Sequence, residues 1–253
     1  MIPTQIMSAM ADAAAQRYGM LLDGFKTIYA RALDAPDFGT PKQISDAAYQ
    51  AVSMSSFYLI KEEADIEDNL DIIAETALTA TRDELSVAHQ EALPDDVSEH
   101  LNAFSVYMLD ELRLQIERDI AFLNKTLRAT HLTVHLAARA QRVPLRAALI
   151  THRVGNSSPL QFAFHDRRSA KWPSKRHVRT FWRHNLLAVY NDSVLMTLAD
   201  HGIDNAQIKH NDPASEFHGM IVTMSPSTDG PTYADVKDAA FHPNAEAVLV
   251  RSV

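Results

Sequence analysis

Residues 101–123 read LNAFSVYMLDELRLQIERDIAFL, and their spacing decides the first half of the fold. Leu101, Phe104, Met108, Leu112, Ile116, Ile120 and Leu123 recur every three or four positions, the repeat of one face of an amphipathic helix. Just upstream, Leu93-Pro94-Asp95-Asp96 breaks the pattern, since proline cannot continue a helix and two aspartates suit the electropositive start of a new one. A second stripe, Ile66, Leu70, Ile73, Ala77 and Leu78, marks the preceding helix. The short break between them predicts antiparallel neighbours in a helical hairpin or bundle. Asp37-Phe38-Gly39-Thr40-Pro41 sets off an earlier helix, and the only other glycines before residue 145 are Gly19 and Gly24. Residues 1–145 are therefore expected to form an all-helical region.

The composition of the 253-residue chain, 46% hydrophobic and 22% charged, fits one large globular domain or two modest ones. With no cysteine, disulfides, thiolate zinc sites, iron–sulfur clusters and a cysteine nucleophile are excluded. The N-terminus lacks a basic segment followed by an apolar core, so no signal peptide is expected. No apolar run approaches the length of a membrane-spanning helix, and no membrane partner is expected.

Charge divides the chain. Residues 1–145 hold 12 Lys/Arg against 22 Asp/Glu, a net −10, whereas residues 146–253 hold 12 against 10, a net +2. Such a shift predicts two units with different surroundings. The pattern changes as well. Ala147–Val154 and Leu160–His165 are short apolar runs about Gly155-Asn156-Ser157-Ser158-Pro159, which predicts a β-hairpin. Trp172-Pro173-Ser174 opens a helix to about Asp200, closed at His201-Gly202. Strands follow at Asn205–His210, Gly219–Met224 and Ala245–Arg251. Before the last of them, Thr232 and Asp235 form the two ends of a capping box on a short helix reaching Ala240. The fold class is thus α+β: an N-terminal all-helical region, then a small mixed domain over 146–253 in the order ββαββαβ.

Three groups of residues have the composition of sites. His131 and His135 share a helix face, but the text His-Leu-Thr-Val-His lacks the glutamate of a zinc protease. His210, Asp212, His218 and His242 are the candidate metal or catalytic set, because three imidazoles and a carboxylate would suit zinc or non-haem iron. The same residues stand beside Pro, Gly and Asn, where Asp, Asn and His also fix turns by bonding nearby amides. Arg167, Arg168, Lys171, Lys175, Arg176, Arg179 and Arg183, interleaved with Trp172, Phe181 and Trp182, form a basic segment that is a candidate nucleic-acid contact or else a solvated helix face. No phosphate-binding loop, nucleophile elbow or dinucleotide glycine motif is present, and no cofactor is expected.

The second half resembles the Mu F-like family of phage minor head proteins over about residues 148–252. The residues that carry the likeness are Val189-Tyr190-Asn191, His201-Gly202, His210-Asn211-Asp212-Pro213, His218-Gly219, Met224-Ser225 and Phe241-His242-Pro243-Asn244. Ala245 stands where that family usually closes with cysteine, and Ala214 and Phe217 lie where it often has a cysteine pair. A thiolate-bound metal is therefore impossible in this chain. The resemblance implies a structural role without a reaction, in a tailed-phage virion or, during assembly, the host cytoplasm. It implies several copies at the portal or capsid interior, with portal or other head proteins as partners and packaged DNA as a possible contact of the basic segment. The alternatives are a metal-dependent hydrolase or nuclease using the histidine/aspartate set, and a DNA-binding assembly factor that leaves before maturation.

Overall fold

The computed structural model describes residues 3–88, 92–155, 160–165, 169–226, 230–242 and 244–252. Three long helices come first, α1 (Pro3–Asp34), α2 (Pro41–Leu85) and α3 (Asp95–Gln141). Then follow α4 (Leu145–Gly155), strands β1 (Ala163–His165) and β2 (Lys171–Pro173), α5 (Ser174–Asp200), β3 (Asn205–His210), β4 (Ile221–Thr223), α6 (Tyr233–Ala240) and β5 (Ala247–Arg251). The chain is α+β, with a helical N-terminal region. Among the described residues no helix is long and apolar enough to cross a membrane.

One expected element is different. Ala147–Val154 lies within α4 and is not a strand. Its run of alanine and leucine has high helix propensity, the amides of Ala147 and Ala148 both bond the Pro144 carbonyl, and Thr151 bonds back to Ala147. Burial follows a helix and not a strand: Ala148 and Leu149 are inside, Ile150 and Val154 outside. The strand pair is instead β1 with β2, antiparallel, with Ala163 opposite Pro173. Pro173 thus ends a strand, and Ser174 is the first helical residue. The predicted loop from Asn156 to Pro159 lies outside the described residues.

Two compact units are built, each from separate stretches of chain. A sheet unit combines Met1–Ala15, Glu62–Asp110 and Val178–Val253; a hairpin unit combines Gln16–Lys61 and Glu111–His177. Residue 145, where the charge balance changes, is the first residue of α4 and falls inside the hairpin unit.

In the sheet unit, β3 is central, with β4 and β5 antiparallel on either side. Ala206 and Ile208 alternate inward on β3, and Val222, Ala247 and Leu249 join them, as a sheet buried on one face requires. Also buried in this unit are the apolar face of α5 (Val178, Trp182, Leu186, Val189, Val194, Leu198) and residues of α2 such as Ile66, Leu70 and Ile73, and Asn191 of α5 bonds the Leu249 amide of β5. The end of α5 is closed by Gly202 at φ +71, a conformation that glycine adopts without strain. The predicted capping box of α6 is present in full, with Thr232 and Asp235 exchanging side chain–backbone bonds.

In the hairpin unit, the stripe of α3 continues through Leu112, Ile116, Leu123 and Leu127. Gln115 and Asp119 are buried among them. The Asp119 carboxylate accepts from the Tyr18 hydroxyl at 2.6 Å and the Ser174 hydroxyl at 2.8 Å, and the Gln115 amide reaches Ser174 at 3.2 Å. Burial raises the Asp119 carboxyl above the ordinary carboxylate value, opposed by the bonds from Tyr18, Ser174 and Gln115. A second tie, Tyr29 to Thr130 at 2.8 Å, repeats the α1–α3 link. Phe162 adds edge-on ring contacts to Phe25 and Phe122.

Replacing Asp119 by Ala strands buried hydroxyls and should cost about 2–4 kcal/mol in chemical denaturation at neutral pH. The pH dependence has a defined sign. Because the folded-state value is raised, the native state holds this proton more tightly than the unfolded chain does. The contribution of Asp119 to stability is thus fully present below 3.8 and is lost as pH rises through the folded value. Urea titrations of wild type and Asp119→Asn at acidic and neutral pH should show wild type gaining on the variant as pH falls. Parallel stabilities at both pH values would contradict this.

Candidate functional site

Strand β3 and the turn after it position the histidines. His210 ends β3, and the chain reverses through Asp212–Gly219 to reach β4. Gly219, at φ +83, lets that reversal return its amide to the Ile208 carbonyl at 2.8 Å. Each imidazole faces backbone. His218 Nδ1 lies 3.2 Å from the His210 amide and 2.9 Å from its carbonyl, so either tautomer finds a partner there. His210 Nδ1 accepts from the Asp212 amide at 2.9 Å, and an Asp212 oxygen accepts from the Ala214 amide at 2.9 Å. His242 Nδ1 accepts from the Asn244 amide at 3.2 Å. Among the described residues no group of three or more His, Asp and Glu could hold a metal ion. His210, Asp212, His218 and His242 are therefore turn residues, not a convergent set.

Phe241 and the turn that follows it are anchored in the same unit. Phe241 is buried and meets the Tyr233 ring at 5.7 Å, the Ala245 amide bonds the His242 carbonyl, and Arg183 donates to the Ala245 carbonyl at 2.9 Å. Pro243 lies outside the described residues. Asn191, wholly buried, accepts from the Leu249 amide at 2.9 Å and so fastens α5 to β5. The Tyr-Asn and Phe-His-Pro-Asn segments are thus the places where helix and sheet edge are joined.

The basic segment is divided. Arg167 and Arg168 lie outside the described residues. Arg179 is bound through two nitrogens to Asp12, and Arg183 is buried against Ala245, so both perform structural duty in the sheet unit. In the hairpin unit, Arg176 lies over Trp172 at 5.0 Å, and Lys171 donates to Gln161 at 2.8 Å. Lys171 and Lys175 are exposed. Trp182 is core, as its complete burial requires.

His131 packs edge-on against Phe38 and over His135, with ring centroids 5.8 and 4.2 Å away. Burial, then the neighbouring His135, lowers the His131 value. That is a packed pair in the hairpin unit.

One pairing was not legible in the sequence. In the sheet unit, His100 Nε2 lies 3.0 Å from Asp192, 92 positions away, and its ring meets Phe104 at 4.9 Å. His100 and Phe104 border a recess of about 380 Å³ with Tyr107 and His184, whose described lining residues include no serine, threonine, cysteine or lysine. Also unforeseen was an exposed apolar face on α2 of the hairpin unit, made by Tyr49, Val52, Phe57 and Ile60. No family model, curated protein or solved structure matches this chain.

Asn191→Ala leaves the Leu249 amide unpaired in the core and should lower stability by about 1–3 kcal/mol. His242→Ala, at an exposed turn, should cost under about 1 kcal/mol. Thermal melts of the two variants, with and without added zinc, test both this ranking and the turn assignment. A zinc-dependent rise in Tm that His242→Ala abolishes would reinstate the metal set.

Proposed function

We propose that this chain is a structural minor head protein of a tailed phage, held at the portal or capsid interior in several copies and working by binding instead of by reaction. The observation that carries the reading is the face of α2 in the hairpin unit. Tyr49, Phe57 and Ile60 are 75%, 74% and 67% exposed, and Val52 lies beside them. At 100° per residue these four fall within about 140° of one helix face. Large apolar side chains exposed together on one helix face suit a protein contact.

The resemblance over residues 148–252 names the setting in which such a contact would be used. The hydrolase alternative would draw on His210, Asp212, His218 and His242, whose side chains bond the backbone of their own turns. The particle location and the portal or other head proteins as neighbours follow from the resemblance, with the host cytoplasm as the place of assembly.

Cross-linking mass spectrometry on purified particles tests this reading, with cross-links expected from Lys42 and Lys61, which flank the apolar face, to a portal or head subunit. The double variant Tyr49→Ser/Phe57→Ser changes only exposed side chains. It should keep its melting temperature while losing incorporation into particles. Wild-type protein absent from particles would end the proposal.

A further inference from the structure

The hairpin unit holds a second feature that neither the apolar face nor the turn histidines explain. An open groove of about 730 Å³ runs between α1 and the start of α5, floored by the buried Leu22, Leu160 and Phe162. Three lysines line it from three separate stretches of chain: Lys26 on α1, Lys171 on β2 and Lys175 on α5. Among the described lining residues Asp23 is the one carboxylate and pairs with Lys26 at 2.7 Å, so these residues bring three cations against one anion, a net charge of +2. That is a local excess on a chain whose formal net charge is −8.

The placement of Lys175 is informative. Helix starts favour anions, because free amides and the helix dipole both point positive charge there. The first turn of α5 reads Ser174-Lys175-Arg176-His177 and holds no acidic residue. Asp119 approaches this end, but from the buried side, through the Ser174 hydroxyl. On the groove side the lysine side chain lies across Gly19, where a Cβ would come within 3.3 Å of its Cδ. The residue without a side chain therefore lets the cation lie along α1. Lys171 has a neutral partner, Gln161, and among the described residues no ion pair joins a carboxylate to Lys171 or Lys175.

We propose that this groove binds the phosphates of a nucleic-acid backbone through Lys26, Lys171 and Lys175. Lysine supplies point charges without the planar fork of arginine, so the contact reads charge and not base sequence. Three ammonium groups spread along an open groove suit successive phosphodiesters better than a single closed socket would. The basic contact is thereby moved off the α5 face, where Arg179 and Arg183 are already engaged, into a groove that includes Lys26. The choice of nucleic acid as the polyanion rests on the proposed particle role; the charge excess of the groove does not.

The test is fluorescence anisotropy of the full chain with a short labelled DNA oligonucleotide over a salt series. Affinity should fall with a log–log salt slope of about −2 to −3, as release of counterions from two or three phosphates requires. Each of Lys26→Ala, Lys171→Ala and Lys175→Ala should reduce the slope by about one and weaken all sequences alike. Absence of binding at low salt, or a triple lysine variant that melts normally and binds like wild type, would overturn the assignment. Full displacement by inorganic phosphate at matched phosphate concentration would overturn the nucleic-acid ligand in favour of free phosphate. The Tyr49→Ser/Phe57→Ser protein should bind the oligonucleotide unchanged, and the lysine variants should still enter particles, so failure of the groove assignment and failure of the particle role give different results.

Discussion

A carboxylate placed in the interior and held by hydroxyl and amide donors constrains the hairpin unit more than any single apolar contact does. Asp119 gathers Tyr18 from α1, Ser174 from the start of α5 and Gln115 from its own helix, all inside the core. Apolar side chains accept many arrangements of similar volume, but a buried polar group has few positions in which its lone pairs are met. The cluster therefore fixes the register of α1 against α3 and the point at which α5 begins. The groove over Gly19 lies between the same elements. Its lysines are held where they are because α1 and the start of α5 are fixed beneath them.

The sheet unit solves the same problem with side chains that bond backbone. Asn191 meets the Leu249 amide, and Arg183 meets the Ala245 carbonyl, so two residues of α5 bond the backbone on either side of the entry to β5. Arg251 on that strand bonds Glu84 on α2, through its amide and its side chain. A short three-stranded sheet gains much of its definition from such edge contacts, because among the described strands β3 alone pairs with a strand on both sides.

The helical half was legible because its signal is periodic and long: the stripes over 66–78 and 101–123 and the break at Pro94 each have a direct physical consequence. Asn205–His210 was legible for the matching reason, a period of two, and the box at Thr232 because it is a local bond pattern. Ala147–Val154 misled because a short apolar run has no period to read, and alanine content outweighed its β-branched members. The histidine cluster misled in another way. Spacing records which residues are near a turn, not whether their rings converge, and each ring here is engaged by an amide or carbonyl within a few positions or across the turn. Conversely, His100 with Asp192 and Lys26 with Lys171 are juxtaposed only by tertiary packing, and neither sequence neighbourhood hints at the other. The apolar face of α2 gives no such signal, because Tyr49, Val52, Phe57 and Ile60 are interleaved with serines and their exposure is set by tertiary packing.

The way the chain is distributed between its two units bears on how such a protein can change. The sheet unit needs the first fifteen residues, Glu62–Asp110 from the second half of α2 into α3, and Val178 onward, while the hairpin unit takes the intervening stretches. The boundaries fall inside α1, α2, α3 and α5, not in loops. Neither unit can therefore be excised as a contiguous fragment, exchanged with another protein by a single crossover, or lost through a truncation without removing part of the other. Variation is left to act by substitution on exposed faces such as that of α2, and to spare the order in which the helices are threaded.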